Sequence, residues 1–304
     1  MKILFVVNPI SGGVNKEPFI KKAKSICKKY GIEFLFFKTT GKDDAKKLED
    51  ILSNYQPDKV ASVGGDGTTL FTSEVLLNSH IPMGIIPLGS ANGMATELFV
   101  NPDPVEALKE IIMSQVVAGL DMILVNDKYY SIHIGDVGIN ASIIKSYEKD
   151  KNRGMSIYAK YFIEEVKKSK PFGFSIKANG KTIREKGIMV GICNARKYGT
   201  GVPLNLKGNP MDGKFEIVIV KQINLNSLLL AGLSKFDEVF YDNQNGIVIK
   251  TDIADIEFDQ PRLLQLDGEV IGMFSKLNLK ILKGAVKIIT SHDNVSLQEI
   301  QHNS

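Results

Sequence analysis

Three glycine-rich segments within the first hundred residues limit the folds open to this chain. Each follows a short β-like run. Asn8-Pro9-Ile10-Ser11-Gly12-Gly13 ends the run Ile3–Asn8, Gly64-Gly65-Asp66-Gly67-Thr68 follows Lys59–Val63, and Pro87-Leu88-Gly89-Ser90-Ala91-Asn92-Gly93 follows Met83–Pro87. Helical periodicities lie among them. Phe19, Ala23, Ile26, Cys27 and Tyr30 share one face over Pro18–Tyr30, and Ala45, Leu48, Ile51 and Leu52 mark a second helix. With Glu33–Lys38 as a further strand, the alternation predicts a parallel sheet with helices on both faces. Open sheets of that kind bind ligands beyond the carboxyl ends of their strands, where all three glycine segments would sit.

From about Leu120 the rhythm changes. Asn179-Gly180, Asp212-Gly213, Asn245-Gly246 and Asp267-Gly268 each lie near a β-like run, as hairpin turns require. Expected strands are Phe172–Ala178, Ile188–Asn194, Phe215–Val220, Ile253–Phe258, Leu277–Leu282 and Val286–Thr290, with alternation at Tyr130, Ile132 and Ile134. Helical patterns interrupt them at Ser156–Lys168 and Ser227–Phe236. The patterns therefore predict an α/β half with a parallel sheet, followed from about residue 121 by a mostly antiparallel β half. The polar tail 291–304 is either a helix joined to the first domain or a frayed end.

Composition removes several classes. The 38 basic residues against 34 acidic ones leave a net charge of +4, too mild for a dedicated nucleic-acid binder. The two cysteines, Cys27 and Cys193, exclude a disulfide scaffold and suit a reducing cytoplasm. Cys27 falls on an apolar helix face and reads as core. No uninterrupted apolar run is long enough to span a membrane, and the opening Met1–Val7 is too short for a signal peptide. The histidines, His80, His133, His292 and His302, lack metal-ligand spacing. Lys21, Lys22, Lys24, Lys28 and Lys29 read as a solvated helix face, and the Ser156–Lys168 pattern, with Tyr158, Tyr161 and Phe162, is the better membrane-facing candidate.

Glycines at strand ends let backbone N–H groups approach an anion, and the following helix adds its dipole. The hydroxyls of Ser11, Thr68 and Ser90 can donate to phosphate oxygens, while Asp66 can reach a metal or a water. Any single segment can also be a plain tight turn. No Walker A loop and no Gly-x-Gly-x-x-Gly is present. Residue chemistry alone thus stops at a phosphate-binding enzyme.

The ordered set goes further. Asn-Pro-x-Ser-Gly, Gly-Gly-Asp-Gly-Thr and Pro-Leu-Gly-Ser-x-Asn, followed by Asp212-Gly213 and Asp267-Gly268-Glu269, resembles the diacylglycerol kinase catalytic domain family, which includes bacterial lipid kinases and the sphingosine and ceramide kinases. The resemblance covers essentially the whole chain and implies the fold class, an amino-terminal Rossmann-like α/β nucleotide domain, residues 1–121, followed by a mostly antiparallel β-sandwich domain, residues 122–290. It implies an ATP- and Mg²⁺-dependent kinase acting on a lipid hydroxyl, cytoplasmic, with peripheral association at the membrane surface, no transmembrane segment, no nucleic-acid partner and room for a homodimer. By the same resemblance Asn8, Ser11, Gly12, Thr39, Gly64, Gly65, Asp66, Gly67, Thr68, Ser90 and Asn92 would bind ATP, with Thr40 the alternative to Thr39. Asp66, Asp121, Asp267 and Glu269 would be catalytic, and Asn209, Asp212 and the carbonyl of Lys214 would hold a structural Mg²⁺. Taken alone, Asp267-Gly268 also reads as an ordinary hairpin turn.

Two positions depart from the family pattern. Gly93 stands where an Asp of the catalytic acidic network is usual, and Asn140 stands in an acidic place, with Asp136 nearby. These departures bear on activity and on the acceptor. Two alternatives follow: an NAD kinase-like enzyme, which would share Gly64–Thr68 but usually carries an Asn-x-x-x-Gly-x-Leu-Gly-Phe segment absent here, and a non-catalytic nucleotide- or lipid-binding protein.

Overall fold

A computed structural model of the chain describes residues 1–139, 141, 143, 161, 164–198, 203–205, 207–223, 246–291 and 294–303. Two compact units result: Met1–Asp121 with Lys283–Ser304, and Met122–Leu282. The chain passes from the first unit to the second after Asp121 and returns to the first at Lys283, within its last strand.

The first unit is the α/β layer. β1 (Lys2–Val7), β2 (Glu33–Lys38), β3 (Lys59–Gly64) and β4 (Met83–Pro87) are all parallel, in the spatial order β2-β1-β3-β4. Every residue from Ile3 to Val7 is fully buried, so β1 is central, as its unbroken apolar run requires. Each such side chain contributes roughly 1.5–3 kcal/mol of burial. The helices α1 (Glu17–Lys29), α2 (Asp44–Tyr55), α3 (Asp66–Val75), α4 (Gly93–Glu97) and α5 (Pro104–Met113) return the chain between strands. α1 buries Phe19, Ile20, Ala23 and Cys27 and leaves the five lysines in solvent. α5 starts on Asp103, whose carboxylate accepts the N–H groups of Val105 and Glu106, with Pro104 at the first helical position where no N–H is needed. The tail is a docked helix, α6 (Val295–Asn303). Buried Asn294 fixes it, its amide donating to the Leu98 carbonyl at 3.0 Å and the Thr290 hydroxyl at 2.8 Å.

The second unit is antiparallel. β7 (Ile134–Gly138) lies between β10 (Met189–Cys193) and β13 (Ile253–Leu266). β11 (Phe215–Val220) and β12 (Gly246–Thr251) continue beyond β10, and β8 (Phe172–Ala178) with β9 (Lys181–Gly187) extends from the first half of β13. β5 (Val117–Val125) pairs with β6 (Tyr129–Ser131). Ile123, Val137, Phe174, Ile192, Phe215, Ile256 and Leu279 meet in its core. The Asn179-Gly180 turn has φ 51° and 72°, and Asp267-Gly268 has φ 49° and 90°, the left-handed values these pairs tolerate.

Several expectations need correction. β9 and β12 escape a periodicity reading; among the described residues β9 pairs only with β8, and it exposes most of its charged residues. β13 runs through Asp259-Gln260-Pro261, because a register shift between Glu257 and Arg262 spares Pro261 a ladder hydrogen bond. Leu277–Leu282 and, up to Ile289, Val286–Thr290 belong to one strand, β14 (Glu269–Ile289), antiparallel to β13. Lys283-Gly284 does not break it. Gly284 takes φ 58°, and a Cβ on Gly119 would come within 2.8 Å of its Cα, so the two glycines permit a close crossing. The end of β14 pairs with β4 through Ile288 and Met83 and so belongs to the first unit. Residues 164–168 are helical; the rest of Ser156–Lys168 apart from Tyr161, together with Ser227–Phe236, Asn140, Asn245 and His292, lies outside the described residues. Among those described, no helix is long and apolar enough to cross a membrane.

Candidate active site

The three glycine segments converge. Gly12 has φ 62°, and a Cβ there would sit 2.7 Å from the Gly89 carbonyl carbon and 2.8 Å from the Ser90 nitrogen. A Cβ on Gly65 would lie 3.1 Å from Gly89 Cα. The Ser11 hydroxyl oxygen accepts the Gly65 N–H at 2.9 Å, and the Leu88 N–H donates to the Gly64 carbonyl at 2.8 Å. Backbone therefore packs on backbone with no side chain between, which is what glycine at these positions makes available. Asn92 completes the third segment. In the left-handed region at φ 54°, it accepts the Gly89 N–H at 2.8 Å and donates to the Gly89 carbonyl at 3.1 Å. Its side chain thus shapes the loop.

Beside this convergence opens a cavity of about 450 Å³, lined by Asn8, Pro9, Ile10, Thr39, Thr40, Gly41, Asp44, Gly67, Thr68 and Phe71. Four of the expected ligand-binding residues, Asn8, Thr39, Gly67 and Thr68, are in its wall. Thr68 lines this cavity, and its hydroxyl is buried with no hydrogen-bond partner among the described residues. A Cβ on Gly64 would overlap that hydroxyl, so the glycine is what allows it there. A buried hydroxyl without a partner is unfavourable. Thr39 and Thr40 are distinguished by their partners. The Thr40 hydroxyl and N–H both bind the Asp44 carboxylate, at 2.9 and 2.8 Å, whereas the Thr39 hydroxyl has only a 3.5 Å contact with the Val7 carbonyl. Burial raises the Asp44 carboxyl, but the Gly41 N–H and the Thr40 groups outweigh it and hold Asp44 below the usual carboxylate range.

Lys16 was invisible as a site residue, because a lone lysine before a helix carries no motif. It is nearly fully buried; its ammonium donates to the Val14 carbonyl at 2.8 Å and also to the Ser11 carbonyl. Burial lowers its pKa. The loop that carries Gly12 is thereby tied from beneath by a cation.

The expected acidic residues have different surroundings. Asp66 begins α3 and accepts two N–H groups, Gly93 at 2.9 Å and Met94 at 2.8 Å, so it anchors the start of α4. The position where an Asp is usual thus contributes its backbone N–H to Asp66. Asp121 is fully buried and accepts the Gly284 N–H at 2.6 Å; it is not in the cavity wall.

In the second unit, the Asp267 carboxylate accepts the Ser131 hydroxyl at 2.6 Å and the N–H groups of Ile132 and His133 at 2.8 and 3.1 Å. Burial pushes this carboxyl upward, against His133 and the donors just named. Glu269 opens β14 and is exposed. Of the two carboxylates, Asp267 shapes the 131–133 segment and Glu269 faces solvent. Gln265, fully buried, accepts the Gly268 N–H at 2.9 Å and donates to Asp136 at 2.5 Å. Asp136 also takes the Tyr198 hydroxyl at 3.2 Å and the Ala141 N–H at 3.0 Å, and it is fully buried within β7. A polar network thus runs from the interior to the Asp267-Gly268 turn.

Asn209, Asp212 and Lys214 share one turn. The Asn209 side-chain oxygen accepts the Met211 N–H at 3.1 Å, and Asp212 accepts the Lys214 N–H at 3.0 Å and the Lys250 ammonium at 2.5 Å. Among the described residues no group of three His, Cys, Asp or Glu side chains gathers around a common point.

Both the fold and the sequence have relatives. A solved diacylglycerol kinase structure from Bacillus anthracis superposes with a TM-score of 0.72 over 97% of this chain and 98% of that one, at 19% identity, a likeness of fold. Residues 2–124 match the diacylglycerol kinase catalytic domain, and residues 135–290 match the YegS C-terminal NAD kinase beta sandwich-like domain. A Yersinia enterocolitica protein named "Probable lipid kinase YegS-like" is 29% identical over 74% of this chain and 77% of its own length. The Bacillus subtilis protein named "Diacylglycerol kinase" is 23% identical over 88% of this chain and 89% of its own. The chain belongs to the lipid kinase family that joins these two domains.

Proposed function

We propose that this protein transfers the terminal phosphoryl group of ATP to a hydroxyl of diacylglycerol or a related lipid. The observation that carries the reading is a cavity of about 450 Å³ beside converging glycines, lined by Thr68, whose buried hydroxyl has no partner among the described residues. That volume lies within the roughly 300–1,000 Å³ common for small-molecule sites. Gly12, Gly65 and Gly89 pack backbone on backbone beside the cavity, and the α3 amino terminus adds its dipole. Asn8 and Thr39 line the same cavity and would meet the nucleotide, with Ile10 and Phe71 as its apolar wall.

Glu269 would take the proton of the attacking lipid hydroxyl, because its carboxylate is exposed at a strand start while Asp267 is held by the 131–133 segment. As the acceptor oxygen bonds to phosphorus, the bridging bond to ADP breaks and the proton passes to Glu269. Asp66 would act by position, fixing α4 against the glycine segments. Mg²⁺ neutralises phosphate charge in such transfers and is commonly held by one or two carboxylates plus the phosphates themselves, so no dedicated cage is needed. The acceptor would be met at a membrane surface, to which the net charge of +4 lends weak attraction for anionic headgroups.

Labelled ATP with vesicles containing diacylglycerol, ceramide, sphingosine or phosphatidylglycerol tests the reading. Label on a lipid hydroxyl supports it. Label on NAD, or nucleotide binding with no transfer to any lipid, replaces it with one of the alternatives.

A further inference from the structure

The β11–β12 pairing sets Lys250 directly across from Glu216. Glu216 is buried, 2% exposed, and a lone carboxylate there would be strongly disfavoured. It is met from two sides: the Asn205 amide donates to one oxygen at 2.7 Å, and the Lys250 ammonium lies 3.2 Å from the other. The same ammonium reaches Asp212, in the turn that precedes β11, at 2.5 Å. One cation therefore bridges the strand and the turn. One Asp212 oxygen is taken by that ammonium, and the other holds the Lys214 N–H. The Asn209 side-chain oxygen is turned to its own loop. These residues do not fit a divalent ion at Asn209, Asp212 and Lys214.

We propose that the Lys250 ammonium is the resident cation of this turn, in place of a structural divalent metal, so that the second unit holds its 209–216 segment without metal. Lysine suits the place, because a compact ammonium on a long stem reaches both carboxylates from the neighbouring strand. The inference is independent of the kinase reading, since it concerns the folding of the β-rich unit and not phosphoryl transfer.

Thermal unfolding of the full chain without nucleotide tests it, run in EDTA, in millimolar MgCl₂ and in millimolar CaCl₂. The wild-type midpoint is expected to be the same in all three. Lys250→Met should lower the midpoint in EDTA by several degrees, because two carboxylates then face each other uncompensated. MgCl₂ or CaCl₂ should recover part of that loss. Adding Asp212→Asn to Lys250→Met should abolish the recovery. Lys250→Arg keeps the charge and should stay insensitive to metal. If Lys250→Met does not fold, wild type, Lys250→Arg and Asp212→Asn still decide the matter. A wild-type midpoint that falls in EDTA or rises with MgCl₂, in a manner lost in Asp212→Asn, overturns the proposal. So does a Lys250→Met midpoint equal to wild type in EDTA.

Discussion

Replacing Thr68 by valine should raise stability and lower nucleotide affinity together. The residue is 3% exposed, and its hydroxyl, packed beside Gly64, has no partner among the described residues. A buried hydroxyl without a hydrogen bond costs about 1–3 kcal/mol, and valine keeps the shape while removing the polar atom. Allowing for imperfect fit of the new methyl, the free protein should gain about 1 kcal/mol, seen as a higher urea midpoint at an unchanged slope. The bound state moves the other way. A hydrogen bond to a charged phosphate oxygen is worth about 1.5–3 kcal/mol, so ATP affinity should fall roughly 10- to 150-fold. Isothermal titration with ATP and urea unfolding of the same preparations read both effects. Unchanged ATP affinity would refute the assignment of Thr68. A loss of stability with unchanged affinity would mean that the hydroxyl serves the fold alone.

Other perturbations separate the remaining roles. Gly12→Ala should destabilise the first unit by about 1–3 kcal/mol, because it combines a left-handed φ with a Cβ set against Gly89 and Ser90, and urea midpoints would record it. Glu269→Gln should lower lipid phosphorylation about 10²- to 10⁴-fold while leaving the unfolding midpoint unchanged, since the residue is exposed. Burial raises the Asp267 carboxyl above 3.8, so the folded state holds that proton more tightly than the unfolded chain does. Its contribution therefore favours folding at acid pH and declines as pH climbs from 3.8 through the raised value. Wild type should accordingly lose stability relative to Asp267→Asn across that window and run parallel to it above. The Cys27 thiol is pushed up to about 11 by burial and Cys193 is raised as well, so native protein should resist iodoacetamide until denaturant is added, as mass spectrometry would report.

The glycine segments were legible because their chemistry is local. A strand that ends in Gly64-Gly65 must turn there, and the strand-end rule gathers such turns on one sheet edge. What sequence could not supply was who occupies whom. Asp66 reads as a free carboxylate until the Gly93 and Met94 N–H groups are found on it, and those partners are 27 and 28 residues away. Lys16 and Lys250 carry no pattern at all. Their roles come from burial and from a cross-strand register that only the fold fixes. The same holds for β14, where Lys283-Gly284 looks like a break but is the point at which Gly119 passes close by. Resemblance named Asn8, Thr39, Gly67 and Thr68, while Ile10, Asp44 and Phe71 joined them only through the shape of the cavity.

The central claim is that this chain phosphorylates a lipid hydroxyl with ATP, and one measurement bears on it most directly. Wild type, Thr68→Val and Glu269→Gln are incubated with labelled ATP, MgCl₂ and mixed vesicles containing diacylglycerol and phosphatidylglycerol, and the extracted lipid is counted. Label in the lipid fraction from wild type, reduced in Thr68→Val and nearly abolished in Glu269→Gln, is the predicted result. Lipid without label, or label that survives Glu269→Gln undiminished, would contradict it.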